Sequence, residues 1–218
     1  MSAVFFDLDG TLVDSARDLG TAVNRMLDDL GMPRRSLPEV RRFIGDGVVK
    51  LIERAVGDGR AACTDIEAAV ARFRAHYADC LLETTDYFPG IRALIDGLEV
   101  PLAVVSNKPE DACIRLIDAL DSTAAFSAIA GGDSFPVRKP DPTPILETAR
   151  RIGVPPTQII FVGDGEQDMR AGRAAGCRTI GVLWGQGDAE TLTAAGADLI
   201  VEDVFSLEAR IRSTLSGP

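Results

Sequence analysis

Asp7 and Asp9 stand two positions apart, just after an apolar run, in a stretch at residues 3–15 that reads AVFFDLDGTLVDS. Two carboxylates at that spacing offer nucleophilic, acid–base or cation-binding chemistry. In an extended segment alternate side chains share one side, so the pair is expected to converge on one ligand. Gly10 then lets the backbone approach that ligand closely, and Thr11 adds a hydroxyl. Taken alone, D-x-D-G-T is also an ordinary polar exit from a strand, since Asp and Gly are common turn residues. A second acidic pair, Asp164 and Asp168, follows another apolar run and sits one helical turn apart. Between them lie Ser106-Asn107-Lys108 and Arg138-Lys139-Pro140. Each of these short motifs by itself reads as a turn, a solvated loop or a helix cap; jointly, at the ends of apolar runs, they read as a site.

The elements that position these groups follow from periodicity. Residues 3–6 are continuously apolar, the pattern of a parallel strand covered on both faces. From residue 15 to 85 the chain predicts only helices. Leu19, Val23, Met26, Leu27 and Leu30 recur at helical spacing and stop at Gly31; Ser36 and Glu39 form a capping box; Asp46 precedes an apolar stripe ending at Gly57; Thr64 and Glu67 form another box. From Tyr87 onward strands and helices alternate. Strands are expected at residues 100–105, 128–130, 158–162, 179–183 and 199–201, with helices at about 91–98, 110–120, 142–152 and 166–176. The fold expected is therefore α/β, a doubly wound parallel sheet (Rossmann-like) formed by residues 1–14 and 86–218, with residues 15–85 inserted as a helical cap. In such sheets ligands bind beyond the carboxyl ends of the strands, where all four polar clusters fall.

Composition narrows the chemistry. The 218 residues carry a net charge of -10, which argues against a nucleic-acid partner, because phosphate backbones need a basic surface. There is no basic leader and no apolar run of membrane-spanning length, so no membrane partner and a cytoplasmic location are expected. Cys63, Cys80, Cys113 and Cys177 are dispersed without a C-x-x-C pair, consistent with a reducing compartment. His76 is the sole histidine, which leaves acid–base work to carboxylates. Four crowded carboxylates repel one another by roughly 4 kcal/mol per close pair at an effective dielectric near 20. A hard divalent cation with oxygen ligands is the natural remedy.

In order and spacing these clusters resemble the four motifs of the haloacid dehalogenase superfamily of phosphatases, over nearly the whole chain. FIGDG at 43–47, YFPG at 87–90, GGDS at 131–134 and KPDP at 139–142 look most like its phosphoglycolate phosphatases. That family usually places serine after the first acidic residue of the fourth cluster, where Gly165 stands here. Adjusted packing with retained chemistry is expected, since related phosphatases carry G-D-G. The resemblance implies a Mg²⁺-dependent phosphatase acting on a small phosphorylated metabolite, best matched by 2-phosphoglycolate, through an aspartyl-phosphate. It implies Asp7 as nucleophile, Asp9 as acid–base, and Lys139 as the charge that offsets nucleophile and phosphate. Asp7, the backbone carbonyl of Asp9, and Asp164 are implied as metal ligands, with Asp168 orienting metal-bound water or Lys139. Phosphate contacts fall to Gly10, Thr11, Ser106, Asn107 and Lys139.

Gly45 and Gly47 precede a helix start whose free N–H groups favour anions, so the loop is a candidate seat for a substrate carboxylate, with Lys50 or Arg42 adding charge. A tight helix-to-helix turn needs the same glycines, and Asp46 repels a carboxylate; the turn reading carries more weight. Alternatives are a sugar-phosphate phosphatase or phosphomutase of the same superfamily, and, from another class, a phospho-acceptor regulatory domain. Monomer and homodimer are both compatible with the sequence.

Overall fold

The structure, a computed structural model, describes residues 2–61 and 64–215. In chain order its elements are β1 (Ala3–Phe6), β2 (Val13–Asp14), α1 (Ala16–Asp29), α2 (Leu37–Phe43), α3 (Val48–Val56), α4 (Asp58–Ala61), α5 (Ile66–Cys80), β3 (Asp86–Tyr87), α6 (Ile91–Asp96), β4 (Leu102–Val105), α7 (Glu110–Ala119), β5 (Phe126–Ala130), α8 (Thr143–Ile152), β6 (Ile159–Gly163), α9 (Glu166–Ala175), β7 (Arg178–Val182), α10 (Ala189–Ala195), β8 (Leu199–Val201) and α11 (Val204–Leu215). Six strands form one parallel sheet in the order β5-β4-β1-β6-β7-β8. Counted within that sheet alone, this is the 3-2-1-4-5-6 order of a doubly wound fold.

The two faces of the sheet explain the composition of its strands. Val4 and Phe6 pack with Val104, Val162 and Ile180 on one side, while Ala3 and Phe5 pack with Ala103, Val105 and Phe161 on the other. Alternate residues thus feed two cores, and β1 is apolar throughout because neither face meets water. The pairing of Phe6 with Val162 sets the register of β1 on β6, so Asp7 and Asp164 emerge close together. They emerge where the strand order reverses, the switch point at which open α/β sheets bind ligands.

Helices α1 to α5 intervene between β2 and β3, and these two short strands pair antiparallel, Val13 with Tyr87 and Asp14 with Asp86. The chain therefore leaves for the helical insert and returns from it side by side. Two-residue strands leave no periodic signature, and the sequence gives no sign of either. Buried Asp18 on α1 reinforces the junction: its carboxylate accepts the backbone N–H and the hydroxyl of both Thr84 and Thr85, at 2.6–3.0 Å.

Several expectations shift in detail. The Ser36–Glu39 capping box is present, with Glu39 accepting the Ser36 N–H at 2.8 Å. The cap of α5, however, is Asp65, which accepts the Ala68 N–H at 3.0 Å, while Thr64 donates back to the Arg60 carbonyl. Strand β4 starts at Leu102 rather than Val100, because Pro101 has no N–H to donate to a ladder. Helices α10 and α11 extend the C-terminal part beyond the expected elements. Asp188 caps α10 through the Thr191 N–H at 2.7 Å, and Leu207 and Ile211 bury one face of α11. Cys80, Cys113 and Cys177 are buried free thiols; Cys63 lies outside the described residues. None of the described helices is long and apolar enough to cross a membrane.

Candidate active site

The loop after β1 carries the first carboxylate. Asp7 continues the strand direction, its N–H donating to the Val162 carbonyl at 2.9 Å, and its side chain is almost fully buried. Beyond it the chain turns: Thr11, Leu12 and Val13 all return N–H bonds to the Leu8 carbonyl. The extended alternation read from the sequence therefore ends at Leu8. Asp7 meets Asp164 and Asp168, with one oxygen of each within 4.8 Å of the others. The Asp9 carboxylate lies outside this acidic group. It accepts from Ser15 Oγ at 2.5 Å and from Lys108 Nζ at 3.0 and 3.1 Å, although both Asp7 and Asp9 line the same cleft.

The far side of the acidic group is built by the loops after β6 and β7. Asp164 accepts the Thr11 hydroxyl at 3.0 Å and the Gln186 N–H at 2.7 Å. A Cβ on Gly10, whose φ is +88°, would lie 2.3 Å from an Asp164 oxygen, and a Cβ on Gly185 would intrude equally. Both positions must therefore be glycine for that carboxylate to sit where it does. One turn into α9, Asp168 accepts the Gly165 N–H at 2.9 Å and the Lys139 ammonium at 2.6 Å. A side chain at Gly165 would press on the end of Gln167, which is flexible, so glycine here relieves packing and leaves the carboxylates untouched.

Lys139 is buried to 2% exposure between Asp168 and Asp7, with Phe161 beneath its ammonium at 5.4 Å from the ring centre. Burial pulls its pKa down, but Asp168 and then Asp7 more than offset that and hold it raised. Burial pushes the Asp164 carboxyl well above the usual range, and Asp7 and Asp168 add to the shift. Asp168 is pushed up by burial too, with Lys139 acting against it. Although Lys139 Nζ lies 2.9 Å from Asp7 Oδ1, the geometry is not that of a hydrogen bond, and this buried oxygen has no aligned donor among the described residues. Three buried carboxylates with an under-satisfied oxygen and one lysine hold excess negative charge. The donor set is all oxygen, which fits a small hard cation. Asp7, Asp164 and Asp168 are the side chains able to hold it.

A cleft of about 120 Å³ opens above Asp7 and Asp9. Its floor also includes Ser106, Asn107 and Lys108 from the loop after β4, and its roof comes from α1, α3, α5 and the turn at Ile44 to Gly47. The insert is closed down on the sheet: Asn107 Nδ2 donates to the Gly45 carbonyl at 3.0 Å, Lys108 Nζ to the Tyr77 hydroxyl at 2.7 Å, and Arg115 to the Ala78 carbonyl at 3.3 Å. Asn107 also donates to the Lys139 carbonyl at 3.0 Å, so both donors of its amide are committed to holding loops together. That arrangement counts against a direct phosphate contact by its side-chain N–H groups. Ser106 Oγ receives the Lys108 N–H at 3.4 Å and retains its own proton for an acceptor in the cleft.

Gly45 and Gly47 do line the cleft, at φ of +116° and +87°. Asp46 is paired with Arg54, which removes its repulsion of an anion. Lys50 pairs with Glu53 at 2.6 Å on the surface, and neither it nor Arg42 lines the cleft, so neither supplies the extra charge expected of it. His76 meets Asp29 at 2.7 Å on the exposed side of α5. Sequence reasoning passed over Lys108, Tyr77 and Ser15. Tyr77 falls on an apolar helical stripe and reads as core, and Lys108 reads as part of a loop.

Residues 4–182 match the family of haloacid dehalogenase-like hydrolases. A phosphoglycolate phosphatase of Chromobacterium violaceum is 39% identical over 217 residues, covering 95% of each chain. One of Pseudomonas putida is 38% identical over 211 residues, covering 94% of this chain and 77% of its own. Among solved structures, a predicted phosphoglycolate phosphatase of Haemophilus somnus superposes with a TM-score of 0.89 at 31% identity, covering 97% of this chain and 98% of its own. The chain belongs to the haloacid dehalogenase-like hydrolases, and its doubly wound sheet is that family's fold.

Proposed function

We propose that this protein is a Mg²⁺-dependent phosphatase that hydrolyses a small phosphate monoester, 2-phosphoglycolate above others, by way of a phosphoryl group carried on Asp7. The observation that carries the reading is the buried group of Asp7, Asp164, Asp168 and Lys139 at the switch point of the sheet, with Asp9 beside it in one small cleft. The substrate comes from the relatives, which are named for phosphoglycolate. In this reading residues 1–14 and 86–218 form the catalytic core and 15–85 the cap.

Asp7 and Asp164 would hold the cation, with the Asp9 carbonyl as the further ligand the family resemblance implies, and Asp168 fixes Lys139 beside Asp7. When bound, the cation neutralises the crowded carboxylates and the phosphate, so that an anion can approach an anion. The Asp7 carboxylate attacks phosphorus as the bond to the ester oxygen breaks, and Asp9 gives its proton to the departing alkoxide. Asp9 then takes a proton from water, whose oxygen attacks the phosphorus on Asp7, releasing inorganic phosphate and restoring both side chains. Ser106 holds a phosphoryl oxygen and Lys139 balances its charge; Gly10 and Thr11, whose N–H groups and hydroxyl already go to Val13, Leu8 and Asp164, hold the carboxylate loop in place and do not contact phosphate. The closed cap and its apolar roof keep bulk water from the reacting atoms.

The test is kcat/KM with Mg²⁺ for 2-phosphoglycolate against hexose and pentose phosphates. A preference for 2-phosphoglycolate of at least about tenfold, 1.4 kcal/mol, supports the substrate. A preference for sugar phosphates overturns it in favour of a sugar-phosphate phosphatase or mutase. Phosphorylation of Asp7 without turnover overturns the hydrolytic reading and revives a regulatory phospho-acceptor.

A further inference from the structure

One ammonium group in the cleft has no part in the reaction above. Lys108 leaves the loop after β4 and runs inward until only 4% of its side chain is exposed. A buried cation is costly without partners, and Lys108 has two, the Asp9 carboxylate and the Tyr77 hydroxyl of the cap helix α5. An ammonium has three N–H groups. Its acceptors among the described residues are the two Asp9 oxygens, at 3.0 and 3.1 Å, and the Tyr77 hydroxyl, at 2.7 Å, so a substrate group binds it by sharing or replacing one of these. Lys108 and Tyr77 both line the cleft. The two buried lysines therefore divide the site. Lys139 serves the nucleophile, whereas Lys108 stands beside Asp9, on the side where the ester oxygen must depart.

Resting on the phosphatase reading, we propose that Lys108 is the specificity-determining residue that receives a carboxylate carried by the leaving group, with Tyr77 as the positioning residue that holds the ammonium. Distance sets the chemical class. Asp9 has to reach the ester oxygen to protonate it, and Lys108 Nζ is 3.0 Å from Asp9. A group hydrogen-bonded to both Lys108 and the cleft floor then lies within one or two bonds of the carbon bearing the ester. Phosphate esters of 2-hydroxy acids place a carboxylate there. Part of the remaining wall works in the same direction: Leu19, Leu51 and Phe73 offer no partner to the hydroxyls of a sugar, while Arg74, Asp111 and Arg115 also line the cleft. Because Tyr77 belongs to the cap, a carboxylate on Lys108 also ties substrate recognition to cap closure.

The experiment uses a matched pair, 2-phosphoglycolate and 2-hydroxyethyl phosphate, which differ in replacing the carboxylate by a neutral group. In Lys108→Met the kcat/KM ratio of the first to the second should fall about 10- to 100-fold, the range for losing a hydrogen bond to a charged group. Lys108→Arg should restore part of it. Tyr77→Phe, which keeps the helix packing, should lower the ratio several-fold, mainly through KM. An equal fall on both esters overturns the inference and leaves Lys108 as a partner of Asp9 alone; so does a wild-type protein that does not distinguish the two. The phosphatase reading fails separately, if wild type releases no inorganic phosphate from any ester. In that case the affinities of the two esters for Asp7→Asn with Mg²⁺ decide: equal affinity overturns the role of Lys108, and preferential binding of 2-phosphoglycolate that Lys108→Met abolishes supports it.

Discussion

Asp18 and Asp164 are equally hidden, at 1% and 3% exposure, and their surroundings are opposite. Asp18 meets only neutral donors. Burial pushes its pKa up, but the hydrogen bonds, the Thr84 hydroxyl first, outweigh that and leave it lowered. Asp164 meets other carboxylates, which add to the effect of burial and raise its pKa, against only one N–H and one hydroxyl. The first carboxylate is solvated by the protein itself and stitches the start of the insert to its end. The second is left short of positive charge at the carboxyl end of a strand. Burial of an acid thus says little about function, while the sign of its neighbours says a great deal.

The strongest way to break this comparison is at Asp7. Asp7→Asn should lower kcat on the order of 10⁴-fold or more, the scale for loss of a nucleophile. Its melting temperature in EDTA should be no lower than wild type, because one of three crowded charges is gone. A variant that keeps near wild-type turnover would remove Asp7 from the mechanism. Asp9→Asn comes next, with an expected loss of about 10²- to 10⁴-fold on alkyl phosphates. The loss should be smaller on a nitrophenyl phosphate, whose leaving group needs no proton; equal losses would count against Asp9 as the acid. The charge deficit itself is read by calorimetry. Mg²⁺ at about a hundred times its Kd should stabilise wild type by about 2.7 kcal/mol, or very roughly 5–10 °C for a chain of this size. Asp164→Ala should show no such shift, and a normal response to Mg²⁺ would place the cation elsewhere.

What the sequence disclosed, and what it hid, follows the same division. The acidic group was legible because its members lie at strand ends and one helical turn apart, patterns that survive in one dimension: Asp7 after four apolar residues, Asp164 after four and a glycine, Asp168 at i+4. The direction of the Asp9 carboxylate has no such signature, since nothing in D-L-D-G shows that the chain turns at Leu8 and sends Asp9 toward Ser15 and Lys108. The clamp of Asp18 on Thr84 and Thr85 joins residues 66 and 67 positions apart in the chain. It has no local signature, because a hydrogen-bonded aspartate in the first turn of a helix looks like any favourable helix-start charge. Lys108 and Tyr77 were hidden for the same reason, being joined only when the insert closes on the sheet.

Asp18 supplies the smallest and the most discriminating test. Asp18→Ala leaves the Thr84 and Thr85 N–H groups without acceptors in a buried junction, at about 1–3 kcal/mol for each unsatisfied group, so a total loss of a few kcal/mol is expected. Asp18→Asn should lose less, since one amide oxygen still accepts. In both variants kcat of the folded protein should stay within a few-fold of wild type, because Asp18 touches none of the reacting groups. The pH dependence fixes the cause. The folded-state pKa of Asp18 is lowered from 3.8, so its stabilisation is complete above that value and is lost as pH falls through the lower folded-state pKa. The stability gap between wild type and Asp18→Ala, measured by urea unfolding, should therefore be constant from pH 8 to about pH 5 and narrow below about pH 4. A gap that stays constant into acid would mean that Asp18 acts by packing alone. A gap that widened would give it the sign of a carboxylate crowded by like charge, and the contrast with Asp164 would collapse.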